Sequence, residues 1–237
     1  MSVRALQLVR DPEIAAEISA HLVSLERLSE ERGRRATGLP ALDQLLGGGW
    51  PRAALSEISG RRSSGRTAVL RAALEAAISA GESTALVDVG GTLDARAVPM
   101  SMAAASTGPP LLWIRCDAGQ ALKAADLVVA AGGFGMIALD LCDARLRIPD
   151  AAWMRLRHAA RAQGTTVLIA SGARRVGAFA AAAVELGGAP AFDTEGRPLF
   201  ARLDVRAQRL RNGRSQPQSS IDGKQQTCVS LAFTSRS

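Results

Sequence analysis

Residues 60–67, GRRSSGRT, have the residue spacing of a phosphate-binding loop, G-x-x-x-x-G-K-[ST]. In such a loop, successive backbone N–H groups converge on phosphate oxygens, and the helix that follows adds its positive amino end. Gly60 and Gly65 permit the tight backbone, and Thr67 places a hydroxyl where a bound Mg²⁺ would lie. Arg66 occupies the lysine position, where a planar, forked guanidinium cannot replace a compact ammonium unless the loop moves. Two interpretations stay open: the loop binds nucleotide more weakly, or it preserves the fold and binds none.

The segments around this phosphate loop alternate between apolar runs and amphipathic stretches. A short strand at 54–59 leads into the loop, and a helix closed by Gly81 follows it. This alternation implies an α/β fold, a mostly parallel sheet flanked by helices. Further strands are predicted in STALVDVGG, PLLWIRC, FGMIALDLC and TTVLIASG, and further helices in AGQALKAADLVVAAGG and IPDAAWMRLRHAARAQG.

Both ends of the chain differ from this alternating core. Residues 11–31 predict an amphipathic helix with Pro12 in its first turn, and RGRR at 32–35 predicts a solvated hinge after it. Residues 198–213 predict an antiparallel edge strand, and CVSLAF near the carboxyl end predicts a last strand. The predicted organisation is an N-terminal helix and linker at 1–35, a core at 36–205, and a basic, partly flexible extension at 206–237.

The composition supplies a packed core and a positive charge. The chain has 237 residues, of which 47% are hydrophobic and 22% charged. With 29 basic and 22 acidic residues, its net charge is +7. This surplus favours nucleic acid or another acidic partner, and the alternative is an ordinary arginine-rich surface.

The cysteines and the amino-terminal residues indicate the cellular compartment of the protein. Cys116, Cys142 and Cys228 are widely spaced and form no C-x-x-C pair, which argues against a disulfide framework and a zinc site. The first residues contain charges and no long apolar run, so neither a signal peptide nor a membrane span is expected. We therefore expect a cytoplasmic, nucleoid-associated protein.

The sequence around the phosphate loop resembles the RecA recombinase family over residues 37–67. That family has a run of the form TG…LD…LG-G-G-P-G…EI-GP-SSGKT, and the resemblance continues more weakly to about residue 205. It implies a RecA-like fold with ATP and Mg²⁺ as ligands. The matching residues are Thr37, Gly38, Leu42, Asp43, Leu45, Gly47, Gly49, Pro51, Glu57, Ile58, Gly60, Ser63, Ser64, Gly65 and Thr67.

The resemblance also implies roles for residues elsewhere, and several of them are replaced. The strand ending MIALD places Asp140 where the family holds Mg²⁺. Gly90 stands at the position of the glutamate that activates water, and glycine cannot act as a general base. Gly172 stands at the position of the glutamine that senses the γ-phosphate, and Ala97 at that of the adenine-stacking tyrosine. The replacements at Arg66, Gly90 and Gly172 thus remove three separate parts of the ATP chemistry, which argues against hydrolysis.

The losses and the short segments at the family's DNA-binding loops resemble one type of RecA-like protein in particular. This is the ImuA type, an accessory protein of bacterial mutagenic repair cassettes that accompanies a polymerase-like subunit. The resemblance implies a non-catalytic role in the DNA damage (SOS) response and translesion synthesis, with RecA and a Y-family polymerase-like subunit as partners. The alternatives are a divergent ATP-dependent recombinase that uses Arg66, and a plain DNA-binding module.

Arginine clusters are the candidates for contact with single-stranded DNA. Guanidinium groups bind backbone phosphates, whereas the scarcity of aromatic residues argues against base stacking. The other interpretation is a solvated arginine-rich face. The candidate residues are Arg174, Arg175, Arg206, Arg209, Arg211 and Arg214.

The tryptophans are assigned from their surroundings. Trp113 lies in an apolar run and Trp153 at the start of a predicted helix, so both are expected in the core. Trp50, beside three glycines and a proline, is a candidate exposed contact residue.

Overall fold

The computed structural model describes residues 33–89, 91, 93, 111–144, 146–193, 199–210 and 226–232, with the backbone alone from residue 188 onward. All of these residues except Gly33 belong to the unit Arg34–Ser237. The predicted helix at 11–31, and the positions Gly90 and Ala97, lie outside the described residues.

Eight described strands form one sheet in the order β10-β9-β8-β3-β7-β6-β4-β5. The six strands from β8 to β5 run parallel, whereas β9 and β10 are antiparallel to their neighbours. The α/β prediction, with an antiparallel carboxyl-terminal edge, is therefore confirmed. The strands are β3 (Leu55–Gly60), β4 (Thr84–Val89), β5 (Leu111–Cys116), β6 (Met136–Asp140), β7 (Thr166–Ser171), β8 (Ala180–Asp193), β9 (Leu199–Leu210) and β10 (Gln226–Ala232).

Helices cover both faces of the parallel strands, because the inner strands are apolar on both sides. Alternate residues of β4, β6 and β7 enter two separate apolar clusters. One cluster contains α1 (Pro40–Leu46) and α2 (Arg66–Ser79). The other contains α3 (Ala121–Ala131) and α4 (Asp150–Gln163). Trp153 of α4 is buried in the second cluster as predicted, and Trp113 is half-buried against the first.

A short two-stranded sheet precedes this core. Strand β1 (Arg34–Arg35) pairs antiparallel with β2 (Trp50–Pro51). The prediction of a solvated hinge was therefore wrong for Arg35, which is buried and paired with the carboxylate of Glu82, whereas Arg34 is half-buried. The prediction of an exposed Trp50 was also wrong: the side chain is 0% exposed and packs in the first apolar cluster.

The carboxyl-terminal strands depart from the sequence expectation in two ways. Residues 180–193 form a strand that pairs with β3, although alanine has a low preference for strands. The segment 199–210, expected at an edge, lies between β8 and β10, so β10 is the edge strand among those described. None of the described helices is long and apolar enough to cross a membrane.

Candidate functional site

The phosphate loop connects β3 to α2, at the carboxyl ends of the parallel strands. In the sheet, β7 lies beside β3, and β6 lies beside β7. The segments that follow β6 and β7 therefore begin next to the loop. This is the edge at which ligands bind in open α/β sheets.

Two residues of the loop have backbone angles that suit a phosphate-binding loop. Ser63 and Gly65 have φ angles of 61° and 93°, in the left-handed region that concavities built from successive N–H groups use. A Cβ at Gly60 would lie 2.6 Å from the carbonyl oxygen of Leu186, so only glycine allows this close approach. Ser64 is buried and its hydroxyl has no hydrogen-bond partner in the described part of the chain. Local sequence thus still produces the loop shape.

Arg66, the first residue of α2, extends across to the segment that follows β6. Its Nη1 donates to the carbonyl oxygen of Cys142 at 3.0 Å, and its Nη2 donates to Oδ1 of Asp143 at 2.9 Å. The Arg66 side chain is 12% exposed and that of Asp143 45% exposed. Arg62 also approaches this carboxylate, with Nε 3.5 Å from Oδ2. One acidic side chain therefore faces two arginines of the phosphate loop.

Gly172, at the end of β7, provides the space for this ion pair. A Cβ at this position would overlap Oδ1 of Asp143 and would lie 3.7 Å from Nη1 of Arg66. The backbone N–H of Gly172 donates to the carbonyl oxygen of Cys142 at 2.9 Å, the same oxygen that Arg66 contacts. Two positions where the sequence departs from its family resemblance, 66 and 172, thus depend on each other sterically.

Asp140 ends β6 close to Arg66. Its Oδ1 accepts a hydrogen bond from the backbone N–H of Cys142 at 2.9 Å. Burial raises the pKa of this carboxyl, the neighbouring charge of Asp88 adds to the rise, and the Cys142 N–H and Arg66 oppose it. Arg66 thus places a positive charge near the carboxylate that the sequence resemblance assigns to Mg²⁺. Thr67, the other predicted Mg²⁺ ligand, is exposed in the first turn of α2.

A second buried carboxylate lies on the neighbouring strand. Asp88 of β4 is the register partner of Asp140, and it is 0% exposed. Its Oδ2 accepts from Nε1 of Trp113 at 3.2 Å and lies 4.0 Å from Nε of Arg115. The Arg115 guanidinium also stacks over the Trp113 ring, 4.8 Å from its centroid. The side chains of Asp88, Trp113 and Arg115 therefore form a polar group beside the first apolar cluster, near the carboxyl ends of β4 and β5.

Arg174 and Arg175 follow β7 and have different environments. The guanidinium of Arg175 donates to the carbonyl oxygens of Leu146 and Ala144, at 2.6 and 2.5 Å. The backbone N–H of Arg175 donates to Oε1 of Glu57, a fully buried carboxylate on β3. Arg174 is 32% exposed at its side chain, and its Nε lies 3.9 Å from Oε2 of Glu57. Arg175 therefore binds the carbonyl oxygens of Ala144 and Leu146, while Arg174 is partly exposed beside Glu57.

The remaining predicted DNA-contact residues lie farther along the chain. Arg206 and Arg209 belong to β9, where their backbones pair with Gly187 and Val184 of β8. Arg211 and Arg214 are outside the described residues.

Sequence reasoning missed Asp143, which determines where Arg66 points. A signal was present, because an arginine at the lysine position needs a carboxylate and Asp143 lies three residues after Asp140. The pairing spans 77 positions and depends on the strand order, so it does not follow from spacing alone.

Comparison with known proteins agrees with the fold described above. The family model for the RecA N-terminal domain matches residues 21–152, which is more than half of the 237-residue chain. A search of curated proteins gave no match. In the part of the chain that the structure describes, no group of three or more His, Cys, Asp or Glu side chains is arranged to hold a metal ion. With a glycine-containing loop between β3 and α2, a mostly parallel sheet flanked by helices and this family match, the chain belongs to the RecA N-terminal domain family, which is of the recombinase and ATPase type.

Proposed function

We propose that this protein is a non-hydrolysing, RecA-like accessory protein of the ImuA type, acting in the DNA damage response and translesion DNA synthesis. It works by binding partner proteins and single-stranded DNA near the nucleoid. Its partners are RecA, a Y-family polymerase-like subunit, or both. The observation that carries the proposal is the engagement of Arg66 by Cys142 and Asp143.

The Arg66 contacts argue against ATP chemistry at the loop. A residue that neutralises phosphate charge during transfer must direct its charge to the ligand. Both η nitrogens of Arg66 are instead directed at the segment after β6.

The residues present do not fit a magnesium ion well. Asp140 is buried and already accepts from Cys142, and its negative charge is partly balanced by Arg66. A second cation beside that guanidinium would be repelled. We therefore assign no reaction step to Mg²⁺ at this site.

Two other positions in the sequence also argue against ATP hydrolysis. Gly90 provides no carboxylate to orient an attacking water, and a glycine at 172 provides no amide to sense a γ-phosphate. Each loss removes a different contribution to phosphoryl transfer, so their effects on the rate combine.

DNA binding in this proposal rests on charge rather than on base recognition. Arg61 and Arg62 are exposed on the phosphate loop, and Arg174 is exposed after β7. Such guanidinium groups bind backbone phosphates and release counterions, which makes the affinity fall steeply with salt. The predicted set Arg206, Arg209, Arg211 and Arg214 adds positive charge towards the carboxyl end.

The second candidate is a divergent ATPase or recombinase that uses Arg66 in place of lysine. The observation in its favour is that the loop backbone, Thr67 and Asp140 are all retained in strand–loop–helix order. In that case the guanidinium of Arg66 would have to leave Asp143 when nucleotide binds.

An ATPase assay with and without single-stranded DNA separates these two candidates. We expect no turnover above that of an Asp140→Ala variant under either condition. Turnover that rises with DNA and disappears in Asp140→Ala would reject the non-hydrolysing assignment.

A capture experiment separates the accessory role from a plain DNA-binding module. Purified RecA and the Y-family polymerase-like subunit are each presented to the immobilised chain at micromolar concentration. We expect retention of at least one of them at a salt concentration that abolishes DNA binding. Salt-sensitive DNA binding with neither protein retained would favour the plain module.

A further inference from the structure

Three properties of the Arg66–Asp143 ion pair fit a contact that closes the phosphate loop and is able to open again. It joins the start of α2 to the turn after β6, across the mouth of the loop. The carboxylate is nearly half exposed, so it is able to rotate into solvent without exposing a core residue. Because solvent reaches the pair on the Asp143 side and screens it there, a ligand with several negative charges is able to displace the carboxylate.

The charges around the loop indicate what that ligand is. Asp143 lies within 4 Å of both Arg62 and Arg66, so one negative charge faces two guanidinium groups and a net positive charge remains. When the carboxylate moves away, both cations are left beside a loop in which Ser63 and Gly65 have the left-handed backbone angles found in phosphate-binding loops. Such a set binds adjacent phosphates, because guanidinium forks and backbone N–H groups are both donors to phosphate oxygens.

We propose that the Arg66–Asp143 ion pair, seated in the space left by Gly172, closes the phosphate loop, and that opening this pair exposes a site for a metal-free polyphosphate. The positive charge near Asp140 then comes from Arg66, and no divalent cation is needed to bring phosphates to the loop. This inference rests on the proposed function in one respect, namely that the loop does not hydrolyse what it binds.

Two variants open the ion pair in different ways. Asp143→Ala removes the carboxylate. Gly172→Ala keeps every charge but introduces a Cβ that would overlap Oδ1 of Asp143, which must then move outward. The φ angle of Gly172 lies outside the left-handed region, so alanine is compatible with the backbone.

A matched control removes a carboxylate from a similar ion pair elsewhere. Asp126 on α3 pairs with Arg155 on α4 at 2.5 Å, and this pair is also partly exposed. Asp126→Ala therefore changes the net charge by the same amount as Asp143→Ala without touching the loop.

The experiment measures binding of inorganic tripolyphosphate, and of ATP, by isothermal titration calorimetry with EDTA present. We expect Asp143→Ala and Gly172→Ala to bind both probes about fivefold to tenfold more tightly than the wild type, and Asp126→Ala to match the wild type. Adding Arg66→Ala to Asp143→Ala should remove the gain. Replacing EDTA with Mg²⁺ should leave the affinity of the opened variants unchanged or lower it.

Three results would overturn the proposal. The first is that neither Asp143→Ala nor Gly172→Ala binds more tightly, while both unfold at the wild-type urea midpoint. The second is an equal gain in Asp126→Ala, and the third is a gain that requires Mg²⁺. Because binding is measured without Mg²⁺ and turnover with it, a failure here is distinguishable from ATP hydrolysis, which would reject the proposed function instead.

Discussion

At the scale of single residues, Asp140 shows how burial and charge oppose each other at the end of β6. Its side chain is 5% exposed, and burial raises its pKa above the ordinary value of 3.8. Its hydrogen bond from Cys142 and the charge of Arg66 lower the pKa but do not cancel the effect of burial. The charged form of Asp140 is therefore less favourable in the folded protein than in the unfolded chain.

The pKa of Asp140 predicts how stability changes with pH. Between the ordinary pKa and the raised folded value, the folded state retains the proton that the unfolded chain has lost. Rising pH through this window therefore lowers the contribution of Asp140 to the free energy of unfolding, and the loss is complete above the folded pKa. Asp140→Asn keeps an oxygen for the Cys142 N–H but carries no charge. We expect this variant to be more stable than the wild type at pH 7.

Urea unfolding from pH 7.5 down to pH 4.5 tests this expectation. The advantage of Asp140→Asn should shrink as the pH falls through the window, because the buried wild-type carboxyl then takes up a proton in the folded state and no longer carries a buried charge. Asp126→Asn, which removes a partly exposed, ion-paired carboxylate of α3, serves as the control and should not show the gain in stability at pH 7 that is expected of Asp140→Asn. A variant that is less stable than the wild type by the same amount at every pH would contradict the argument.

At the scale of elements, Glu57 connects β3 to the segment that follows β7. Its buried carboxylate accepts the backbone N–H groups of Arg175 and of Val176, the latter at 3.0 Å. It is thus the acceptor for two peptide groups that have no strand partner. Since buried N–H groups without an acceptor are costly, this single side chain fixes the path of the chain after β7.

Replacing Glu57 should therefore destabilise the fold well beyond an ordinary surface change. Glu57→Ala leaves two buried N–H groups unpaired, and we expect a loss of about 2–4 kcal/mol in the free energy of unfolding. Glu57→Gln keeps one acceptor oxygen and should lose less. Glu75→Ala removes the partly exposed pair with Arg71 on α2 and should change stability by under about 1 kcal/mol. Equal losses for Glu57→Ala and Glu75→Ala in urea unfolding would rule out this role.

Elements and contacts differ in how far they are predictable from sequence. The strands β3 to β7 and the helices between them follow from apolar periodicity, which is a local property. The phosphate loop is also local, since its glycine and serine spacing produces the backbone shape. Strand β8 was missed because its alanines have low strand preference, and pairing with β3 overrides that preference. The position of β9 inside the sheet depends on where β10 pairs, which periodicity does not report.

At the scale of the whole molecule, polar clusters lie at both ends of the parallel strands. The carboxyl ends hold the phosphate loop and its ion pair. The amino ends hold Arg35, which is 3% exposed, pairs with Glu82 and donates to the carbonyl oxygen of Gly135 at 2.9 Å. Gly135 precedes β6 and Glu82 precedes β4, so β1 is tied to the entry of the core strands.

Arg35 remains charged in this buried position. Burial, with a smaller effect from Arg52, lowers its pKa to about 10, which is still far above neutral pH. It therefore needs the carboxylate of Glu82 in the interior. Glu82 has a second partner, because Nη2 of Arg52 lies 3.0 Å from its Oε1 and the Arg52 side chain is 39% exposed.

Because Glu82 also pairs with Arg52, replacing Glu82 and replacing Arg35 should have unequal effects on stability. Glu82→Met leaves a buried guanidinium without a carboxylate and should lower the free energy of unfolding by about 3–5 kcal/mol. Arg35→Met leaves Glu82 paired with Arg52, so it should lower it by about 1–3 kcal/mol through lost hydrogen bonds. The double variant should lose less than the sum, because it removes both buried charges together. Urea unfolding of the four proteins measures the cycle, and additive losses would show that Arg35 and Glu82 stabilise the fold independently.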